Sequence, residues 1–157
     1  MEFSIATHDD IDQLVEMRML YLYEHFKEIT ETSKKSIEES LPRYFSHHLG
    51  ENMIAFVARE NNKIVSTAFL MIIEKPANPN FITGLIGEVL NVYTCKEHRR
   101  QGIAKHLMQM LLAYAKEHKL DFIELKATSD GYVLYKNLGF KKVTATNPSM
   151  KYIIESH

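Results

Sequence analysis

The sequence predicts an α/β fold of the α+β layered kind, with one mixed sheet flanked by helices. Three observations carry that prediction. Apolar residues recur at helical spacing in the stretches 9–26, 37–49 and 102–118. Between the second and third, the period shortens to two and β-branched and aromatic residues take over, in "MIAFVARE" and "KIVSTAFLMIIE". A long strand–helix–strand run from 82 to 127 then asks for a sheet covered by helices.

Each element has its own signal. Phe3-Ser4-Ile5 alternates as a short strand, and Thr7-His8-Asp9-Asp10 reads as a capping box. The helix it opens, over 9–26, carries Ile11, Leu14, Val15, Met17, Leu22 and Phe26 at helical spacing. Thr30-Glu31-Thr32-Ser33 reads as a polar break before a second helix through Ile37, Leu41, Tyr44, Phe45 and Leu49, with Gly50 as its stop. Residues 53–60 and 63–74 pair as a hairpin about Asn61-Asn62, and "KPANPNF" (75–81) is a loop. Residues 82–94 form a strand whose two glycines predict an irregular start. Strict alternation there puts Glu88, Leu90 and Val92 on one face and Val89, Asn91 and Tyr93 on the other. A third helix over 102–118 shows Ile103, Leu107, Met110, Leu111 and Tyr114 on one stripe. A strand at 121–127, a short helix at 130–138 and a terminal strand pair, "FKKVTA" and "MKYIIE", complete the order β-α-α-β-β-β-α-β-α-β-β.

Composition narrows the function classes. At 157 residues the chain is expected to be one domain with a full core, and 45% hydrophobic with 25% charged residues is ordinary for a globular protein. A formal net charge of −1 supplies no basic field for nucleic acid or an anionic membrane. No signal peptide is recognisable, and no apolar run reaches the roughly 18 residues of a spanning helix. The lone Cys95 allows no internal disulfide, so a cytoplasmic location is the default expectation.

The informative stretch is "EHRRQGIAKHLMQ" (97–109), where a strand gives way to a helix. A helix starting at Gly102 leaves its first amides without intrahelical partners, and its dipole adds roughly half a positive charge there. Such an end accepts a phosphate or pyrophosphate, with Gly102 letting the backbone approach closely and Arg99 and Arg100 adding charge. No G-x-G-x-x-G run and no Gly-Lys-Ser/Thr step is present, which excludes the dinucleotide fingerprint and the P-loop.

Arg99-Arg100-Gln101-Gly102-Ile103-Ala104 resembles the R/Q-x-x-G-x-G/A signature of the GNAT superfamily of acyl-CoA-dependent N-acetyltransferases. "LNVYT" (90–94) stands where that family's fourth strand stands, and "LYKNLGF" (134–140) resembles its C-terminal motif. The element order matches over nearly the whole chain, as a single N-acetyltransferase domain over 1–157.

The resemblance implies a chemistry. The pyrophosphate of acetyl-CoA, the cosubstrate, would rest on amides of the signature loop, here Arg99, Arg100, Gln101, Gly102, Ile103, Ala104 and Lys105. Its pantetheine arm would pair with main-chain groups near Asn91, Val92 and Thr94, on a fourth strand that splays from the next. An amide of that strand would polarise the thioester carbonyl, where attack builds negative charge. The attacking amine must be neutral, so a base is useful for a group whose pKa is near 10.4. Glu88 is the candidate base, against the reading that it is merely a solvated carboxylate. Tyr135, in "LYKNLGF", matches the family tyrosine that protonates the departing thiolate, with Tyr132 in reserve. The chain departs from the pattern at two positions: Thr128 stands where many members carry an asparagine that touches the pantetheine arm, and Gly131 where many carry alanine. Helices one and two usually wall the acceptor cleft, which makes Arg18, Tyr21, Tyr23, Arg43 and Tyr44 acceptor-contact candidates. A homodimer is the family expectation, with the terminal strands offering an edge.

The reading is therefore an N-acetyltransferase moving acetyl to a primary amine, of a small molecule rather than a peptide or protein. The alternatives are a non-catalytic acyl-CoA-binding module and a nucleic-acid or partner-binding domain in which "KEHRRQGIAKH" is only a basic loop. No metal is expected: the eight histidines show no ligand spacing, and adjacent His47-His48 point apart. Cys95 is expected to be an inert thiol rather than an acyl carrier.

Overall fold

The computed structural model describes residues 1–155, in two compact units, one from Met1 to Lys126 and one beginning at Ala127. The first holds β1 (Glu2–Ile5), α1 (Ile11–His25), α2 (Glu31–His48), β2 (Met53–Glu60), β3 (Lys63–Glu74), β4 (Leu85–Thr94), α3 (Ile103–Glu117) and β5 (Ile123–Glu124). Its five strands lie in the order β1-β2-β3-β4-β5. All neighbours are antiparallel except β4 and β5, which the α3 crossover makes parallel.

Helices cover both faces of this sheet, which is why β2 and β3 read as near-continuous apolar runs. Ala55 and Val57 of β2 pack in one cluster with Leu14, Met17, Leu22, Leu41 and Phe45 of α1 and α2. The intervening Phe56 turns to the other side, where its ring meets Tyr114 of α3 edge-on at 5.7 Å. On α3 the buried positions are Ile103, Leu107, Met108, Leu111 and Ala115, so Met108 takes the core place expected of Met110.

Caps fix the helix starts. The Thr7 N–H donates to the Asp10 carboxylate at 2.8 Å, the reciprocal half of the expected box. Arg59, at the far end of β2, donates to the same oxygen at 2.7 Å and holds the Asp10 carboxyl below the usual range. The polar stretch 30–33, expected as a break, is instead the beginning of α2. Thr30 is its N-cap and accepts the Ser33 N–H at 3.1 Å.

Two further expectations are corrected in β4. The strand starts at Leu85, after Gly84 at φ +76°, and its irregularity lies in the middle rather than at the start. Thr67 faces Tyr93 and Phe69 faces Leu90, so β4 spends one more residue than β3 across that step. The extra residue makes a bulge around Asn91, whose φ is +52°.

In the second unit the described residues form one helix, α4 (Tyr132–Asn137). The expected terminal strands at 140–145 and 150–155 are not formed among the described residues. Val143, Met150, Tyr152, Ile153 and Ile154 are instead exposed. Strand propensity is realised only where a neighbour pairs the backbone and an apolar face is buried, and neither is supplied here. The edge expected for dimer pairing goes with them. Among the described residues no helix is long and apolar enough to cross a membrane.

Candidate functional site

The bulge sets the chemistry of β4. Ahead of it, the Gly87 N–H donates to Phe122 at 3.0 Å and the Leu85 carbonyl accepts from Asp121 at 2.9 Å, so odd-numbered residues turn their backbone groups toward β5. Beyond it the Cys95 N–H donates to Val65 at 2.8 Å, so odd-numbered residues now turn toward β3. Val92 and Thr94 therefore present their main-chain groups to the side away from β3. There β5 pairs only with Gly87 and Glu88 and then ends, leaving a splayed gap along Val92 and Thr94. The Thr94 carbonyl accepts from Arg99 Nε at 2.8 Å. The register thus turns the Thr94 N–H and both main-chain groups of Val92 away from β3, toward the gap where β5 has ended.

The same slip corrects the expected facing of side chains. Phe69 and Tyr93 both belong to the cluster under α1 and α2, and Asn91 meets Arg18 of α1, so two of the three residues expected on the opposite face from Glu88, Asn91 and Tyr93, lie on the α1–α2 side. Leu90, paired with Phe69, lies on that side too, and so does Glu88 two residues before it. The Asn91 side chain is 2% exposed and fully engaged. Its Oδ1 accepts from Arg18 Nη1 at 3.2 Å, its Nδ2 donates to Thr67 Oγ1 at 3.1 Å, and Thr67 Oγ1 donates to its carbonyl at 2.8 Å. Strand alternation in the sequence could not foresee this network, because alternation assumes no extra residue.

Arg100 at φ +62° and Gly102 at φ +77° are both left-handed and flank Gln101. The first α3 bond runs from the His106 N–H to the Gly102 carbonyl, at 3.1 Å. The main-chain N–H groups of residues 100–105 thus have no partner among the described residues. Successive amides in such turns make a concavity that suits an anion, reinforced by the helix dipole. A Cβ built on Gly102 meets nothing within 4 Å, so the space before these amides is open. Arg99 is placed differently from Arg100: its guanidinium grips Glu24 of α1 at 2.9 and 2.7 Å and lies over the Tyr93 ring. That pair holds the Glu24 carboxyl below its usual range and raises Arg99, and the Arg99 N–H is turned back to Lys96 at 3.4 Å. Burial pushes the neighbouring Cys95 thiol up, with Glu97 adding to it, which disfavours the thiolate a nucleophile needs.

On the α1–α2 side of β4 lies a cavity of about 670 Å³. Its apolar wall includes Phe69 and Met71 of β3 and Leu90 of β4, and its polar wall Arg18, Arg43 and Tyr44. These three were among the acceptor-contact candidates; Tyr21 and Tyr23 are not part of the lining, and Tyr23 bonds Glu38 at 3.3 Å. The Tyr44 hydroxyl donates to Met71 Sδ at 2.9 Å, and burial pushes it up. Glu88 pairs in register with Met71 on one side and with Glu124 on the other, at the point where β5 departs. Among the described residues its carboxylate has no hydrogen-bond or ion-pair partner. Glu124, its like-charged neighbour, was not singled out in the sequence, since nothing there reveals the parallel register.

In the second unit Tyr135 is buried on α4, its ring edge-on to Phe140 at 5.9 Å. Its ring also explains Gly131: a Cβ there would stand 2.7 Å from Tyr135 Cε2. Thr128 has a cap's task, its hydroxyl accepting the Gly131 N–H at 3.2 Å and its carbonyl the Tyr132 N–H at 3.0 Å.

The pattern of the acetyltransferase (GNAT) family matches residues 15–140. A predicted acetyltransferase with acetyl-CoA from Clostridium acetobutylicum superposes with a TM-score of 0.83 at 30% identity, covering 96% of this chain and 95% of its own. A GCN5-related N-acetyltransferase from Ralstonia eutropha superposes at 0.79 with 23% identity, covering 95% and 97%. The aminoglycoside 6'-N-acetyltransferase of Acinetobacter haemolyticus does so at 0.66 with 17% identity, covering 98% and 99%. The last two speak to the fold alone. No curated protein matches the chain.

Proposed function

The chain belongs to the GNAT acetyltransferase family and is an acyltransferase, and from that premise we propose that it moves an acetyl group from acetyl-CoA to the primary amine of a small molecule. The transfer is a direct attack within a ternary complex, by one acetyltransferase domain acting in the cytoplasm. The observation that carries the proposal is the pairing of two unsatisfied main-chain surfaces: the amides of residues 100–105 and the open β4 edge at Val92 and Thr94. An anionic diphosphate suits the first, and an extended amide-bearing arm suits the second. The cosubstrate, when bound, supplies an activated thioester.

The chain's own residues then have distinct tasks. The amides of Arg100, Gln101, Gly102, Ile103, Ala104 and Lys105 hold the diphosphate, and the Arg100 and Lys105 side chains add charge. Arg99 is a positioning residue, tying the loop to α1 through Glu24 and to β4 through Thr94. The main chain at Val92 and Thr94 holds the arm, while Asn91, expected to share that task, has its carbonyl taken by Thr67 and shapes the bulge instead; the Val92 N–H is the donor that faces charge building on the carbonyl oxygen under attack. Glu88 takes the proton from the incoming ammonium, directly or through one water. Its lack of any protein partner among the described residues supports that role, and so does its pairing in register with Met71, which lines the cavity. Tyr135 gives its hydroxyl proton to the departing sulfur, a role that rests on its place in "LYKNLGF". Thr128 keeps α4 capped and so keeps Tyr135 in place.

Acetyl-CoA is expected to raise the melting temperature, and a panel of amino acids, polyamines, aminoglycosides and peptides with free N-termini to release free thiol for at least one small amine. A cofactor shift with no thiol release would identify a non-catalytic binding module. Absence of both would remove the cosubstrate from the account.

A further inference from the structure

The lining of the α1–α2 cavity says more about the acceptor. Its ionisable members are Arg18, Arg43, Tyr44, His47 and His48, and no carboxylate lines it. A second cavity on this side of the sheet, about 410 Å³, mixes Glu16, Glu24 and Glu97 with Lys63 and Lys96, and so has no preferred sign. Arg18 is the decisive residue. It is half-buried, and among the described residues no carboxylate lies within ion-pair distance of it. Its protein partners are neutral: Asn91 Oδ1 at 3.2 Å and the Tyr21 ring at 5.5 Å. Partly burying a guanidinium without an anion costs free energy, and burial does pull its affinity for the proton down. A cation held that way, at the wall of a cavity sized for a small ligand, is prepared for an anion from outside the chain.

The rest of the cavity sets what accompanies that anion. Phe69, Met71 and the exposed Leu90 offer an apolar surface next to Arg18. Glu88, on the same face as Leu90 and opposite Met71, offers the single negative charge on that stretch of β4. A small molecule that carries an amine, a carboxylate and an apolar group matches all three. A polyamine or a polycationic sugar meets Arg18 and Arg43 as like charges. We propose that the acceptor is a small primary amine that also carries a carboxylate and an apolar group, an apolar amino acid in chemical class, and that Arg18 reads the carboxylate. This rests on the transferase reading for the words "acceptor" and "amine", but the carboxylate site does not.

The test therefore separates the two. Calorimetry with 3-phenylpropanoate and 3-phenylpropanamide probes the cavity without any chemistry. The carboxylate is expected to bind at least tenfold more tightly than the amide. Arg18→Gln is expected to abolish that ratio, and Arg18→Lys, which keeps the charge should the guanidinium matter to folding, to retain part of it. Equal binding of the two probes by the unaltered protein overturns the proposal. Thiol release from acetyl-CoA is then compared for phenylalanine, its carboxamide and spermidine. A kcat/KM at least tenfold higher for the acid, lost through KM in Arg18→Gln while acetyl-CoA binding is unchanged, supports it. Equal or faster turnover of the carboxamide or spermidine overturns it and leaves the transferase standing. Selective binding of the carboxylate with no thiol release from any amine does the reverse: the carboxylate site stands and the transferase reading falls.

Discussion

Asn91 offers a perturbation in which the sign of the result, as well as its size, is dictated by the backbone. At φ +52° it sits where asparagine and glycine are tolerated and other residues are strained by about 1 kcal/mol or more. Its side chain also makes two hydrogen bonds, a part-buried one to Arg18 at 3.2 Å and a buried one to Thr67 at 3.1 Å, each contributing about 1 kcal/mol. Asn91→Gly removes the two bonds but keeps the conformation, so it is expected to cost about 2 kcal/mol. Asn91→Ala removes the same bonds and adds the strain, for about 3 kcal/mol. In a regular strand the order is opposite, because glycine is there less stable than alanine by about 0.5–1 kcal/mol. Thermal unfolding reads the difference: at this chain length about 1 kcal/mol moves the midpoint by roughly 2–4 °C. Asn91→Ala must melt below Asn91→Gly. If it melts at or above it, Asn91 is not the left-handed residue of a bulge, and the facing of Val92 and Thr94 argued from that bulge is wrong.

Other perturbations address the remaining parts. Asp10→Asn breaks the Arg59 pair, whose side chains are 14% and 12% exposed, at an expected cost of about 1–3 kcal/mol near neutral pH. Because folding lowers the Asp10 pKa, the pair's contribution is full above the unfolded value of about 3.9 and lost as pH falls through the folded one. Denaturant titrations should therefore show the gap between Asp10→Asn and the unaltered protein closing below about pH 4, and a constant gap would contradict the assignment. Gly102→Glu places a carboxylate into the open space before the loop amides and strains φ +77°. It should lower acetyl-CoA affinity at least thirtyfold by calorimetry while the melting point falls by only a few degrees; unchanged affinity would take the loop out of the site. Tyr135→Phe should reduce kcat about tenfold or more with the cofactor's thermal shift intact, and an unchanged kcat would dismiss the tyrosine as acid.

What the sequence made legible followed local rules. The hairpin over Met53–Glu60 and Lys63–Glu74 and the α3 start after Gly102 are set by period, turn residues and a positive-φ glycine, all encoded within a few positions. The run of amides was expected from Arg99 to Lys105, but the Arg99 N–H is turned back to Lys96, a local turn that the pattern did not reveal. Features that depend on distant partners were not legible. The polar residues 30–33 read as a break, and only the formed α2 shows Thr30 as its cap, accepting from Ser33. The β4 bulge depends on register against β3, so strict alternation placed Asn91 and Tyr93 on the wrong face from Glu88. The apolar content of 140–155 suggested strands, but strand formation needs a neighbour that sequence pattern alone does not guarantee. Arg18 was visible as a candidate contact. Its special standing, a half-buried cation with neutral partners beside an apolar wall, exists only once α1 lies over β4.

Main-chain N–H groups that the fold leaves for a ligand carry the proposed function, and amide chemical shifts observe those groups directly. Titrating ¹⁵N-labelled protein with coenzyme A should move the resonances of Arg100 to Lys105 and of Val92 and Thr94 more than any others in the first unit. Saturable binding whose largest shifts fall elsewhere, with those amides unmoved, would contradict it.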